Sequence, residues 1–266
     1  MGDDVFQVGL LLGMDEVPEW FATGIERLVE NTNAEISIIM VATPTSKDET
    51  SESGKTGPLS LINSVKNSLF GSSRQPPRPL DELDCVKDTK QEQCDIIPQE
   101  GLGIELPEKV VQQFEEIDVG IHMGVGILKG EILTAPEYGI LGFHHGDIRQ
   151  YRGSSAGFWE FLHGEEEMGI TLQRLQPELD AGEIVVFESV DISDACTLGE
   201  IRSRYRTISE KMLEKGILLL QDEDFSAKRP DSLGKVYKEE ERQRWKVTAL
   251  YLYKEMKGRT RQRLLK

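Results

Sequence analysis

Short apolar runs alternating with amphipathic stretches set the rhythm of this chain. Val8–Gly13 reads as a buried strand, and Trp20, Phe21, Ile25, Leu28 and Val29 then recur near helical spacing, with Pro18 placed in the first turn. Glu35–Val41 follows as a second β-rich run. Strand, helix, strand in that order predicts a parallel pair with a crossover helix. Val110, Val111 and Phe114 predict a helix after Pro107, and Asp118–Met123 a strand. Ile140–His145 is an apolar run that ends in two histidines. A helix through Phe158, Trp159, Phe161 and Leu162 comes next, followed by strands at Gly169–Leu175 and Ile184–Val190 and one long helix over Leu198–Leu220. The fold class predicted is α/β, an open, mostly parallel sheet with flanking helices. A short helical C-terminal extension, with a helix through Trp245, Leu250, Leu252 and Met256, completes the chain.

Between these patterned regions, residues 44–100 are rich in Ser, Thr, Lys, Pro and Gly and read as a variable insert. Inside it Leu59, Ile62, Val65 and Leu69 recur at helical spacing and predict a packed helix or a lid. The division expected is one main domain over 1–229, carrying that insert, and a basic extension over 230–266. With 266 residues the chain is long enough for one sizeable core. No apolar run approaches the roughly 20 residues of a membrane-spanning helix, and the start lacks the basic region of a signal peptide, so the expected location is cytoplasmic. Cys85, Cys94 and Cys196 have no CxxC spacing, and neither a disulfide framework nor a metal site is expected.

Charge changes this picture in one respect. The net charge is -16, which disfavours nonspecific nucleic-acid binding by the body of the protein, yet Arg242–Lys266 holds nine Lys or Arg and one acid. That tail either folds against the acidic body or meets an anionic partner.

Candidate chemistry gathers around the paired histidines. The chain has four histidines, and His144 and His145 sit together at the end of a predicted strand, followed by Asp147 and Arg149. Ligands in open parallel sheets collect outside the carboxyl ends of strands. Neighbouring strand residues point to opposite faces, so at most one of the two enters a site there and the other holds a turn. Gly9 and Gly13 make no GxGxxG fingerprint, which leaves a dinucleotide site unsupported.

His144, then Tyr151-Arg152-Gly153, then Gly164 with Gly169-Ile170-Thr171, then Asp180-Ala181-Gly182-Glu183-Ile184 stand in an order and spacing. Together they resemble the signature of the folate-dependent formyltransferases, a family that acts on glycinamide ribonucleotide, methionyl-tRNA and amino sugars. The resemblance covers residues 118–192 best. It implies a Rossmann-type formyltransferase domain that moves a formyl group from 10-formyltetrahydrofolate to an amine, with His144 and Asp180 as the catalytic pair. The resemblance also implies that Met123, Gly124, Val125, Gly126, Ile127 and Leu128, with Glu178, Leu179 and Gly182, hold the folate largely through backbone. A tight turn is the competing reading of those glycines, and a turn residue that of Asp180. Tyr151, Arg152 and Gly153 are the expected acceptor-binding residues, although Arg152 could equally pair with an acid of the body.

One departure stands out. The family pattern has Asn two residues before the histidine, an amide donor for the oxyanion, and here that position is Gly142. His145 or Asp147 are the candidates to supply what Gly142 lacks. The expected acceptor is a small-molecule amine such as an amino sugar. Some 37 residues follow Arg229, too few for the β-barrel that tRNA-directed members carry, though the basic tail leaves nucleic acid open. A methionyl-tRNA formyltransferase-like enzyme, a formate-releasing hydrolase and a catalytically weakened folate-binding homologue remain as alternatives. Nothing in the sequence bears on the oligomeric state.

Overall fold

The structure, a computed structural model, describes residues 5–43, 77–99 and 103–264. The expected helical stripe from Leu59 to Leu69 lies outside them. Strand β1 (Phe6–Leu12), helix α1 (Glu19–Asn31) and strand β2 (Ala34–Thr43) form the opening crossover unit, with β1 and β2 parallel. Strand β3 (Lys90–Asp95) adds to the outer side of β2, and helix α2 (Glu108–Phe114) leads to β4 (Val119–Met123) on the other side of β1. Then come β5 (Ile140–His144), helix α3 (Phe158–His163), β6 (Glu167–Arg174) and β7 (Glu183–Asp191). The sheet order is β3-β2-β1-β4-β5-β6-β7. The first five of these strands run parallel, and β6 is antiparallel to both its neighbours.

Alternation along β1 shows how the sheet is held. Val8, Leu10 and Leu12 face a core that contains Phe21, Ile25, Leu28 and the later helices α4 (Leu198–Ser209) and α5 (Met212–Leu220), whereas Leu11 faces Phe114, Val110 and Ile140. Both faces are therefore covered by helices, as a parallel sheet requires. The carboxyl ends of β1, β4 and β5 lie side by side at the point where the strand order reverses, the crevice in which doubly wound sheets bind ligands.

Two expectations need correction. Lys90–Asp95, expected as part of a loop-rich insert, is the edge strand of the main sheet. Its sequence is polar because an edge strand presents side chains to water, so it carries no hydrophobic alternation to read. The long helix expected over Leu198–Leu220 is two helices that part at Glu210 and Lys211. Ser209 Oγ bonds back to the Tyr205 carbonyl at 2.8 Å, a contact that bends helices. The first of the pair starts from a capping box in which Thr197 Oγ1 accepts from Glu200 N and the Glu200 carboxylate accepts from Thr197 N.

Helix α6 (Trp245–Leu264) stands where a helix through Trp245, Leu250, Leu252 and Met256 is expected, and it docks through Tyr251, with Val247 and Leu252 against the core, together with Glu255 and Gly258. Trp245 is 75% and Met256 62% exposed, whereas Tyr251, Glu255 and Gly258 are buried. The Glu255 carboxylate accepts from Leu198 N at 2.8 Å and so caps the start of α4, while Lys254 Nζ donates to the Phe161 carbonyl at 2.9 Å. The docking face thus mixes Tyr251 with polar contacts, while Trp245 and Met256 stay exposed. Gly258 is required by contact: a Cβ there would stand 1.6 Å from the Cys196 carbonyl oxygen. Gly258→Ala should therefore lift α6 from the body and destabilise the protein by roughly 1–3 kcal/mol, the usual range for overpacking. A lower midpoint in thermal unfolding checks it, and an unchanged midpoint would refute this docking.

Candidate active site

His144 is the last residue of β5, and its register partner Thr171 on β6 is fully buried. The imidazole Nδ1 lies 3.2 Å from Asp180 Oδ1, and the two side chains are only 11% and 13% exposed. Nε2 lies 2.7 Å from the Tyr151 carbonyl oxygen. Both partners are acceptors, so the ring donates from both nitrogens and carries a positive charge. Burial opposes that charge, but the Asp180 carboxylate and the Tyr151 carbonyl more than offset it and raise the His144 pKa above its ordinary value. Burial likewise works against the Asp180 carboxylate, and the hydrogen bond and charge of His144, with Gly153 N, outweigh it and lower the pKa.

The segments around the pair hold it in place. Gly153 N donates to Asp180 Oδ2 at 2.7 Å, and Gln173 Nε2 lies 3.4 Å from Asp180 Oδ1. The same Gln173 accepts from Gly182 N at 2.8 Å, tying the loop that carries Asp180 to β6. Arg152 is buried, and its guanidinium donates to the Leu179 carbonyl and to Glu178, one and two residues before Asp180. Asp180 itself has a φ of 46°, a left-handed conformation that non-glycine residues seldom adopt. Gly153 has a φ of 91°, and a Cβ there would meet the Tyr237 carbonyl oxygen at 2.4 Å, because Tyr151–Gly153 pairs closely with Lys235–Tyr237. Tyr151, Arg152 and Gly153, expected as acceptor-binding residues, are thus engaged with the pair and its loop. The Tyr151 hydroxyl is spent as well: it donates to Glu165 at 2.8 Å and accepts from His163 at 2.9 Å.

His145 and Asp147 do not join the pair. His145 turns to the opposite face, as alternation requires, and stacks on Tyr205 with ring centroids 4.4 Å apart. Its Nε2 meets Ser209 Oγ at 3.1 Å, and since that hydroxyl donates to the Tyr205 carbonyl it must accept from His145. Burial, with the charges of His144 and Arg206, holds the His145 pKa down to about 3, so the ring is neutral. Asp147 closes a turn: it accepts from Arg149 N at 2.9 Å and from the Arg149 side chain at 2.7 and 3.0 Å. Neither group faces the position that Gly142 leaves without an amide.

A cavity of about 100 Å³ adjoins the pair, with Asp180, Gly142, Gln173 and Leu175 in its wall. Of the expected folate-binding residues, Gly126, Ile127, Leu128, Glu178 and Leu179 line it. Met123, Gly124, Val125 and Gly182 do not: Val125 is a core residue, Gly124 packs against Gly13, and Gly182 packs against the Arg174 carbonyl. A side chain at position 142 would have to displace Leu175, whose Cδ2 stands 2.8 Å from where its Cβ would be. Three residues escape sequence reasoning. Gln173 is a buried polar residue next to Leu172 in β6. His122 lines the cavity from the end of β4, a position that its place in a predicted strand could have flagged. Glu160, in α3, is buried near His144, and its pKa is pushed by burial up to about 7. A larger cavity of about 350 Å³ lies under α6, bordered by Lys254, Lys257 and Arg261, and touches none of these groups. Among the described residues no His, Cys, Asp or Glu cluster is arranged to hold a metal ion, and no helix is long and apolar enough to cross a membrane.

The family model for formyl transferase matches residues 18–217, three quarters of the chain and the whole of this site. The chain belongs to the formyl transferase family. The methionyl-tRNA formyltransferase of Bacillus subtilis is 25% identical to this chain over 171 residues, which is 59% of the chain and 54% of that protein. The chain spans between 30% and 54% of the length of the curated relatives it matches. Among solved structures, an N-formyltransferase from Helicobacter canadensis in complex with folinic acid and dTDP-3-aminofucose superposes with a TM-score of 0.58 at 10% identity, covering 95% of this chain and 80% of that one. Glycinamide ribonucleotide transformylase 1 from Symbiobacterium toebii superposes with a TM-score of 0.53 at 14% identity, covering 87% and 96%. These two likenesses are of fold.

The pair gives the protein a defined pH response. A raised His144 pKa contributes stability that is complete below the ordinary 6.5 and is lost as pH rises through the folded value. A lowered Asp180 pKa contributes stability that is complete above the ordinary 3.8 and is lost as pH falls through the folded value. The full contribution is therefore present between about 4 and 6.5. In Asp180→Asn the carboxylate is gone and burial dominates, so the NMR titration midpoint of His144 should drop from above 6.5 to below it. A midpoint unmoved by the substitution would show that Asp180 does not hold the charge.

Proposed function

We propose that the protein transfers a formyl group from 10-formyltetrahydrofolate to an amine, using His144 and Asp180. The observation that carries the reading is the buried imidazolium–carboxylate pair beside a cavity at the carboxyl edge of the sheet, in a chain of the formyl transferase family. The amine nitrogen attacks the formyl carbon, the carbonyl oxygen takes up negative charge, and collapse breaks the bond to the folate N10. The amine loses one proton and N10 gains one, which leaves an N-formyl product and tetrahydrofolate. His144, held cationic by Asp180, stabilises the oxygen as it becomes negative, the effect that most often dominates such barriers. Its Nε2–H exchanges the Tyr151 carbonyl for the reacting oxygen. Arg152, Gly153 and Gln173 act through Asp180 and are positioning residues. The residues that line the cavity, Gly126, Ile127, Leu128, Glu178 and Leu179, border the folate ring.

The acceptor in this reading is a small amine, such as an amino sugar on a nucleotide carrier. An acidic protein repels a phosphate backbone, and the structurally similar enzyme from Helicobacter canadensis is described with an amino-sugar nucleotide. Methionyl-tRNA is the second reading, favoured by the names of the curated relatives and by Arg259, Arg261 and Arg263 on the terminal helix.

Incubation with 10-formyltetrahydrofolate and a panel of amines, including amino-sugar nucleotides and charged tRNA, tests both. Acceptor-dependent release of tetrahydrofolate is expected, with His144→Ala and Asp180→Ala slower by about 100- to 1000-fold. Formate released without an acceptor would point to hydrolysis instead. Full activity in both variants would overturn the site.

A further inference from the structure

His122 is the one ionisable group in the cavity wall that the proposed transfer leaves without a task. It stands on β4 as the register partner of Gly142 on β5, so the two positions project to the same face, with His144 two residues beyond Gly142. The strand beneath needs nothing polar there, since Gly120 on the same face packs against Phe114 and Ile140. Nevertheless His122 is an imidazole, and its Nε2 is buried with no hydrogen-bond partner. Buried polar atoms are seldom left so in a folded protein unless a ligand or water meets them.

The state of the ring limits what it can do. Burial lowers the His122 pKa to about 4, opposed by a hydrogen bond to the Gly126 backbone that favours the protonated ring. A backbone group with that effect is a carbonyl, so the ring nitrogen facing Gly126 carries the hydrogen and Nε2 is a bare acceptor. An acceptor repels a developing oxyanion. His122 is therefore no replacement for the amide donor missing at position 142, although it stands next to that position. It suits an N–H donor instead, and a reduced pterin carries several along its ring.

We propose that His122 is a specificity-determining residue whose Nε2 accepts a hydrogen bond from an N–H of the pterin ring of the folate bound in this cavity. This rests on the folate-dependent reading given above. Leu175 occupies the space beside Gly142, so the ring meets His122 from the cavity that both positions line, and the Gly126 backbone favours the tautomer that makes Nε2 an acceptor.

The test uses the full chain with 5-formyltetrahydrofolate as the stable probe, followed by calorimetry. His122→Val should weaken binding at least about tenfold, the loss of one hydrogen bond made in a dry site. His122→Gln, which retains an acceptor, should stay within a few-fold of wild type. The Nε2 resonance of His122 in ¹⁵N-histidine-labelled protein should shift on addition of the probe, a change that a merely structural ring would not undergo. Wild-type binding with an unmoved resonance, or with His122→Val equal to wild type, overturns the proposal and leaves the folate reading intact. No binding by the wild type removes the folate reading, and the proposal with it. Should His122→Val fail to fold, the resonance and the Gln variant decide.

Discussion

The buried attraction between the His144 imidazolium and the Asp180 carboxylate is the interaction around which the carboxyl edge of the sheet is organised. Removing two charges from water costs several kcal/mol for each ion, and mutual attraction repays it only when further hydrogen bonds satisfy both partners. Those further bonds account for much of the local sequence. Tyr151 supplies its carbonyl to the histidine, Gly153 its N–H to the aspartate, and Gln173 an amide that touches Asp180 and Gly182 together. Arg152 secures the same loop by donating to the Leu179 carbonyl and the Glu178 carboxylate. The Tyr-Arg-Gly segment thus serves the charge pair from outside the cavity, and its three residues do so through different atoms.

The same constraint explains why the two adjacent histidines behave oppositely. His144 lies within reach of a carboxylate and is held charged, whereas His145, one residue on, is surrounded by Trp20, Phe143 and Tyr205 and is held neutral. Identical side chains on consecutive strand positions meet the two faces of the sheet, and the faces differ in charge. His145 also links β5 to Ser209, where the helical segment breaks, so it joins the strand that carries the catalytic candidate to the layer that covers it.

On the cavity side, three positions define an arrangement unlike the family pattern from which the chemistry is read. Gly142 offers no side-chain amide, Leu175 fills the space such an amide would use, and His122 stands across the strand pair with its Nε2 buried and unpartnered. In the proposed transfer, the oxygen that becomes negative meets the His144 imidazolium and no side-chain amide from position 142. Charge on one imidazolium is a stronger stabiliser than a neutral amide, and its burial strengthens it further.

Much of this could be read in the chain itself. Periodicity sufficed for the central strands and α1, because buried strands and amphipathic helices must carry their apolar residues at fixed intervals. The order of His144, Tyr151-Arg152-Gly153 and Asp180 sufficed for the family, because backbone contacts that need a glycine and charges that need a partner leave residue types at fixed separations. What periodicity could not supply were elements held by polar contact: the edge strand Lys90–Asp95, the docking of α6 through Glu255 and Gly258, and the break at Ser209. Nor could it decide which way His145 points, what Asp147 bonds, or that His122 reaches the cavity from a neighbouring strand. Those depend on which strands lie side by side and what covers each face, and residues distant in sequence settle both.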